Sequence, residues 1–205
     1  MPILLHLDAS PSIHTSISRS LSAAFVRSWQ NRHGSGSRIL RRDLATGEIQ
    51  RVDEAWIGAA FAPAAERTTV QKQLLAQSDE FIAELKEADE YVFGVPMYNF
   101  GVPAALKLWI DQVVRVGETY RFDGKERHGL LTNKKAHLIV ASGGIYDVGT
   151  PAAEFNFVDP YLRAILGYIG VTEVEVHAAG GTAAIMRKQQ TREEFLAPHL
   201  NSIER

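Results

Sequence analysis

Tyr91-Val92-Phe93-Gly94-Val95 runs directly into Pro96-Met97-Tyr98-Asn99-Phe100-Gly101-Val102-Pro103. The first five residues are the unbroken apolar run of a strand buried on both faces, and Pro96 stops it. Before it, Leu74, Leu75, Phe81, Ile82 and Leu85 form a helical stripe that starts at Thr68 and ends at Ala88. After it, Pro103 suits a first helical turn, with Leu106, Ile110, Val113 and Val114 behind it. A strand reached from one helix and left through another is the central member of a parallel sheet.

The same alternation recurs on either side. Ile3–Leu7, Arg38–Leu44, His137–Ala141 and Val171–His177 read as further strands, the second charged enough to be an edge. Helical spacing places Leu21, Phe25 and Trp29 on one face after Ser16, and predicts further helices over Val158–Ile169 and Glu193–Ile203. Residues 45–67, rich in Ala, Gly and Pro, read as an irregular excursion. Five strands alternating with five helices predict a single α/β domain over residues 1–205. It is a flavodoxin-like three-layer sandwich whose parallel sheet has the order 2-1-3-4-5 and helices on both faces. Such sheets bind ligands beyond the carboxyl ends of their strands. The segments to read are therefore those after Leu7, Val95 and Ala141.

The 205 residues are 45% hydrophobic with a net charge of −2, so a real core forms and no basic excess exists to hold nucleic acid. With no cysteine there is no disulfide, thiolate metal site or thiol nucleophile, and any redox chemistry must come from a bound cofactor. No apolar run is long enough to span a membrane and the start lacks a secretory pattern, so the expectation is a soluble cytoplasmic protein.

The first loop, Ser10 to Ser18, carries five hydroxyl residues and opens a helix; no acidic residue follows until Asp43. Hydroxyls and free N–H groups at a helix N-terminus suit a phosphate, or simply cap the helix. It has neither a dinucleotide glycine fingerprint nor a P-loop. In the second loop, Met97, Tyr98 and Phe100 surround Asn99 between two prolines, a stiff turn that offers a donor and an acceptor to a heterocycle edge. In the third, Ala141-Ser142-Gly143-Gly144, paired glycines let backbone approach a flat ligand. A phosphate at one loop and a flat ring at the other two describe a flavin mononucleotide site.

These residues resemble the FMN-dependent NADH:quinone oxidoreductases, also known as FMN-dependent azoreductases. The resemblance covers nearly the whole chain. It is carried by Pro96 to Phe100, Ala105-Leu106-Lys107, Ile110-Asp111, Gly117 to Phe122, Gly129 to Ala136, Pro160-Tyr161-Leu162 and Leu166 to Gly170. It implies FMN phosphate against Ser10 and Ser16-Ile17-Ser18, and the ring against Pro96, Met97, Tyr98, Asn99 and Phe100. It implies the ring's pyrimidine side against Ala141, Ser142, Gly143 and Gly144. It further implies NADH as donor, a quinone or azo compound as acceptor, ping-pong turnover on the flavin, and a homodimer in which a neighbour finishes each site. A Gln is common in the family where Ile17 stands, and the third loop often carries an Arg after its Ser; side-chain contacts there differ while backbone contacts remain.

Tyr120, Phe122 and Tyr146 are candidates for the substrate space, with Phe155 and Phe157 behind them. His14 lies in the phosphate loop. His6 and His137 read as packed or paired within strands; His33, His128, His177 and His199 show no zinc spacing, and no metal is expected. Asp111 and Arg115 stand at i, i+4 as a surface ion pair. Leu106, Trp109 and Val113 offer more apolar surface than one sheet needs, and part of it is expected in a two-fold interface with the Tyr120 region. The rival readings are a flavodoxin-type electron carrier, which the weak net charge disfavours, a non-catalytic α/β binding module, and a serine hydrolase at Ser142. The hydrolase fails because Val140 stands where its nucleophile turn needs Gly.

Overall fold

The computed structural model describes residues 1–203. Its sheet is built from β1 (Ile3–Asp8), β2 (Arg38–Asp43), β3 (Glu90–Pro96), β6 (Lys135–Ser142) and β7 (Glu173–Gly180). All neighbours are parallel, in the order β2-β1-β3-β6-β7, which is 2-1-3-4-5 when only these five strands are counted. The run from Tyr91 to Val95 is indeed central, and Leu7, Phe93 and Leu138 lie side by side in register.

Helices cover both faces. α1 (Ile17–His33) begins where the Ser16 hydroxyl accepts the Arg19 N–H at 3.3 Å, and it buries Leu21, Phe25 and Trp29 together with α7 (Arg192–Ile203). The other face packs α3 (Thr69–Glu87), α4 (Ala104–Val113) and α5 (Asp159–Ile169) against Leu5, Leu7, Phe93 and Leu138. A fully buried side chain of this size contributes about 1.5–3 kcal/mol. α3 starts at a reciprocal Thr68–Gln71 capping box. Among the described residues no helix is long and apolar enough to cross a membrane.

Several expectations change. Residues 45–67 contain a real helix, α2 (Glu54–Phe61), capped by the Asp53 carboxylate accepting the Trp56 N–H at 2.8 Å and packed on Leu75 through Trp56, Ala59 and Ala60. The excursion is held by Gln77, which accepts the Gln50 N–H at 2.7 Å and donates to the Glu48 carbonyl at 2.9 Å. The last strand starts later than Val171, because the Val171 N–H closes α5 on the Leu166 carbonyl at 2.9 Å. A hairpin of β4 (Tyr120–Phe122) and β5 (Arg127–Gly129), and the short α6 (Ala183–Met186), have no counterpart in the sequence reading.

Asp111 pairs with Lys107 at 2.5 Å, not with Arg115. Arg115 is buried, donating to Ser78 Oγ at 2.7 Å and pairing with Asp79 at 2.5 Å, because α4 ends at Val113 and carries it off the helix. Leu106, Trp109 and Val113 are at most 3% exposed, so the core takes that helix face and leaves none of these three for an interface.

Candidate functional site

The carboxyl ends of β1, β3 and β6 meet at one edge, where a cavity of about 490 Å³ opens. Ser10, Ser12, Thr15, Ser16 and Arg192 supply polar groups to it; Ile17, Pro96, Met97, Tyr98, Ala141, Gly143, Ile185 and Met186 supply most of the rest. All three expected loops therefore contribute to one site.

The first loop is held from beneath. Arg19 Nε donates to the Ser10 carbonyl at 2.8 Å, and the guanidinium grips Asp43 at the end of β2 with bonds of 2.8 and 2.5 Å. That contact outweighs burial, which acts the other way, and holds the Asp43 carboxyl below its ordinary pKa and the Arg19 guanidinium above its own. Asp8, 3.6 Å from Arg19, accepts the Ser22 hydroxyl at 2.8 Å, and Ser22 in turn faces His6 Nε2 at 3.0 Å. Arg41 faces His6 Nδ1 at 3.3 Å, so this imidazole carries its proton on Nε2 and donates to Ser22. Gly94 makes room for the network: a Cβ there would overlap Asp8 Oδ1 and lie 2.9 Å from Ser22 Oγ. His6 is thus paired, as its strand position suggested; His14 is exposed.

The loop is also held from above. Arg192 donates to the carbonyls of Thr15 at 3.2 Å and Ser16 at 3.3 Å, and to Ser20 Oγ. It is the first residue of α7, whose start is fixed by reciprocal bonds between Thr191 and Glu194 of 2.8 and 3.2 Å. Sequence reasoning missed Arg192 because it is remote in the chain; its one local signal was a Thr-x-x-Glu cap. Ser12 and Thr15 lie in the same Ser10–Ser18 loop, and nothing local distinguishes them from its other hydroxyls. Ser18 is fully buried and its hydroxyl lies 3.0 Å from Ser16 Oγ, so its side chain steadies Ser16 and does not line the cavity.

In the second loop Asn99 and Phe100 both have positive φ, 48° and 70°, within a two-residue turn closed by two Tyr98–Gly101 backbone bonds of 3.0 Å. Asn tolerates this region; Phe does not favour it, so the turn stores strain that its surroundings must hold. The ring of Phe100 meets Phe155 at 5.2 Å and Tyr146 at 6.0 Å. Asn99 and Phe100 stand beside the main cavity without lining it.

The third loop is stapled to the β7–α6 connection. Thr182 N–H donates to the Ser142 carbonyl, Ala183 N–H to that of Gly143 and Gly181 N–H to that of Gly144, at 3.0–3.2 Å. Ser142 Oγ donates inward to the Gly144 carbonyl at 2.9 Å, so of the four residues only Ala141 and Gly143 line the main cavity. Ser142 and Tyr146 instead line a second cavity of about 230 Å³ beyond Met97. Tyr120 and Phe122 line neither. Tyr120 packs on Tyr168 at 4.9 Å, and Phe122 is 61% exposed on the hairpin.

The cavity fits a phosphate-bearing planar cofactor. A helix of 17 residues points its N-terminus at it with no acid in the first turn, hydroxyls and an arginine stand beside that end, and apolar side chains form the remaining wall. Fold and site define a flavodoxin-like α/β protein with a nucleotide-type cofactor site at its strand ends.

A family described as having the flavodoxin-like fold matches residues 3–202. The "FMN-dependent NADH:quinone oxidoreductase" of Acidobacterium capsulatum is 48% identical over 99% of this chain and 98% of its own. "FMN-dependent NADH:quinone oxidoreductase 2" of Jannaschia sp. (strain CCS1) is 45% identical over 96% and 95%. The crystal structure of an azoreductase from Bacillus anthracis superposes with a TM-score of 0.87 at 28% identity, covering 100% of this chain and 97% of that one. The chain belongs to the flavodoxin-like family, within its group of FMN-dependent NADH:quinone oxidoreductases.

Proposed function

We propose that the chain holds FMN in the 490 Å³ cavity and reduces quinones by two electrons at the expense of NADH, cleaving aromatic azo compounds to amines at the same site. The observation that carries this is the joining, in one cavity at the strand ends, of a hydroxyl-and-arginine cradle with an apolar wall; the names of the relatives agree with it. Bound FMN would accept hydride from NADH and deliver two electrons to a quinone, with two such cycles for an azo bond.

The chain's own groups bind and orient. Ser10, Ser16 and the N–H groups of Ile17 and Ser18 receive the phosphate, and Arg192 offsets its charge. Pro96 to Phe100 lie along the ring, with Asn99 offering its amide to the ring edge. The backbone of Ala141 to Gly144 faces the pyrimidine side. Tyr146, with Phe100 and Phe155, walls the substrate space. The protein works in the cytoplasm, where NADH is available, and as a homodimer. Tyr120 and the exposed Phe122, remote from their own cavity, then complete the site of the partner subunit.

The test is steady-state kinetics of the purified protein loaded with FMN. Initial rates against NADH, at several fixed levels of a simple benzoquinone, should give parallel lines, since the two substrates share one site in turn. Intersecting lines would mean that both are held together. NADH oxidation only in the presence of a protein partner would make the chain an electron carrier, and failure to bind FMN would sink the reading altogether. Light scattering that gives a monomer would remove the shared site.

A further inference from the structure

A second cluster of ligand-bearing side chains lies on the other end of the sheet. His137, Glu175 and His177 each bring one potential ligand atom within 4.8 Å of the others. His137 is far in sequence from Glu175 and His177, which is why the spacing of the histidines suggests no metal. The register of β6 and β7 sets His137 opposite Glu175, and His177 stands two residues on, on the same face.

Two of the nitrogens are unexplained. His137 is only 5% exposed and sits against Phe25 at 4.4 Å, yet its Nδ1 has no hydrogen-bond partner. It lies 3.2 Å from Glu175 Oε2 without the geometry of a bond. His177 Nε2 is likewise buried and unpartnered. Buried polar atoms are almost always satisfied, so a pair of orphan nitrogens beside a carboxylate marks a place for a shared ligand.

On the far side of His137, Nε2 lies 3.3 Å from Glu90 Oε2. A carboxylate on the outer nitrogen fixes the tautomer that leaves Nδ1 as a bare lone pair, the arrangement found behind metal-binding histidines. Lys135 holds the other Glu175 oxygen at 2.7 Å, leaving Oε2 turned to His137. A cavity of about 190 Å³ between β7 and α7, lined by His177 and His199, gives an ion a route in.

We propose that His137, Glu175 and His177 bind a first-row divalent cation of the zinc type, with Glu90 orienting His137. Two imidazoles and a carboxylate suit such an ion, and water fills the fourth position. Metal–ligand bonds of about 2.1 Å bring tetrahedral ligands to about 3.4 Å apart; His137 Nδ1 and Glu175 Oε2 already stand at 3.2 Å, and the half-exposed Glu175 has the freedom to turn toward His177. The site is structural. His137 is four residues before Ala141, about 13 Å down the strand from the main cavity, and the ion would tie the edge strand β7 to β6.

Tag-free protein loaded with FMN, titrated with Zn²⁺ alone by calorimetry, should bind one equivalent and gain thermal stability as the free metal rises. Glu175→Gln, at an exposed position that leaves the core intact, should weaken binding at least tenfold. His177→Gln should do the same, and Glu90→Gln should weaken it about tenfold through His137. FMN absorbance should not change in any of them. No binding at about 1 mM Zn²⁺, or parental affinity in Glu175→Gln, would overturn the proposal.

Discussion

Arg19 and Ser10 are joined by a hydrogen bond from guanidinium Nε to main-chain carbonyl at 2.8 Å, and the same guanidinium holds Asp43. One side chain thus fixes the start of the phosphate loop to the end of the neighbouring strand. Replacing it leaves Asp43 and Asp8 without their cation.

Arg19→Met should therefore lower stability by about 1.5–3 kcal/mol, the range for hydrogen bonds to charged groups, and weaken FMN binding as the loop loosens. The pH dependence has a sign. Asp43 is held below its ordinary value, chiefly by the Arg19 hydrogen bond. Its contribution is complete above the unfolded pKa of about 3.9 and is lost as pH falls through the folded value. The stability difference between parent and variant should be largest near neutral pH and shrink in acid. Urea melts at pH 7 and pH 3 measure it, and a difference independent of pH would contradict the assignment.

Gly94→Ala should be more disruptive than its single methyl suggests. Its Cβ would overlap Asp8 Oδ1, and the Ser22 hydroxyl 2.9 Å away cannot retreat without giving up its contacts with Asp8 and His6. Overpacking costs of about 1–3 kcal/mol are expected, seen as a lower melting temperature. A melting temperature equal to the parent's would show that the network moves freely.

How much of this was readable beforehand follows from where the causes lie. The central strand, the helix starts at Ser16 and Thr68 and the three loops depend on local pattern, and they stand where that pattern places them. Arg19, Asp43 and Arg192 act across 24 to 177 residues, and no local pattern announces such a contact. The same is true of His137 and His177, which meet only through strand register. The α4 face failed for a different reason: an apolar stripe does not say whether a sheet or a partner covers it, and here the sheet does.

Ser16→Asp tests the phosphate end. Asp caps a helix as well as Ser does, so α1 should persist and the unfolding free energy should stay within about 1 kcal/mol of the parent's. Its carboxylate would stand in the cavity beside the phosphate, and like charge should weaken FMN binding at least tenfold, more at low salt. Ser18 is a poorer position for this test, since it is fully buried and a carboxylate there would damage the fold itself. Fluorescence titration of free flavin measures the affinity; an unchanged value would remove Ser16 from the site.

Asn99 separates a structural role from a chemical one. Its φ of 48° lies where Asn and Gly are tolerated and Ala is strained, at a cost of about 1–2 kcal/mol. Asn99→Ala should therefore lose both stability and the amide offered to the flavin ring, whereas Asn99→Gly should keep the Tyr98–Gly101 turn and lose only the amide. If that amide serves the ring, turnover should fall by a similar factor in both variants, roughly tenfold to a hundredfold for a hydrogen bond to a partly charged group of about 1.5–3 kcal/mol. The fall should appear with NADH and with quinone alike, because both half-reactions use the same flavin. A parental rate in Asn99→Gly beside a slow Asn99→Ala would assign the residue to the turn alone.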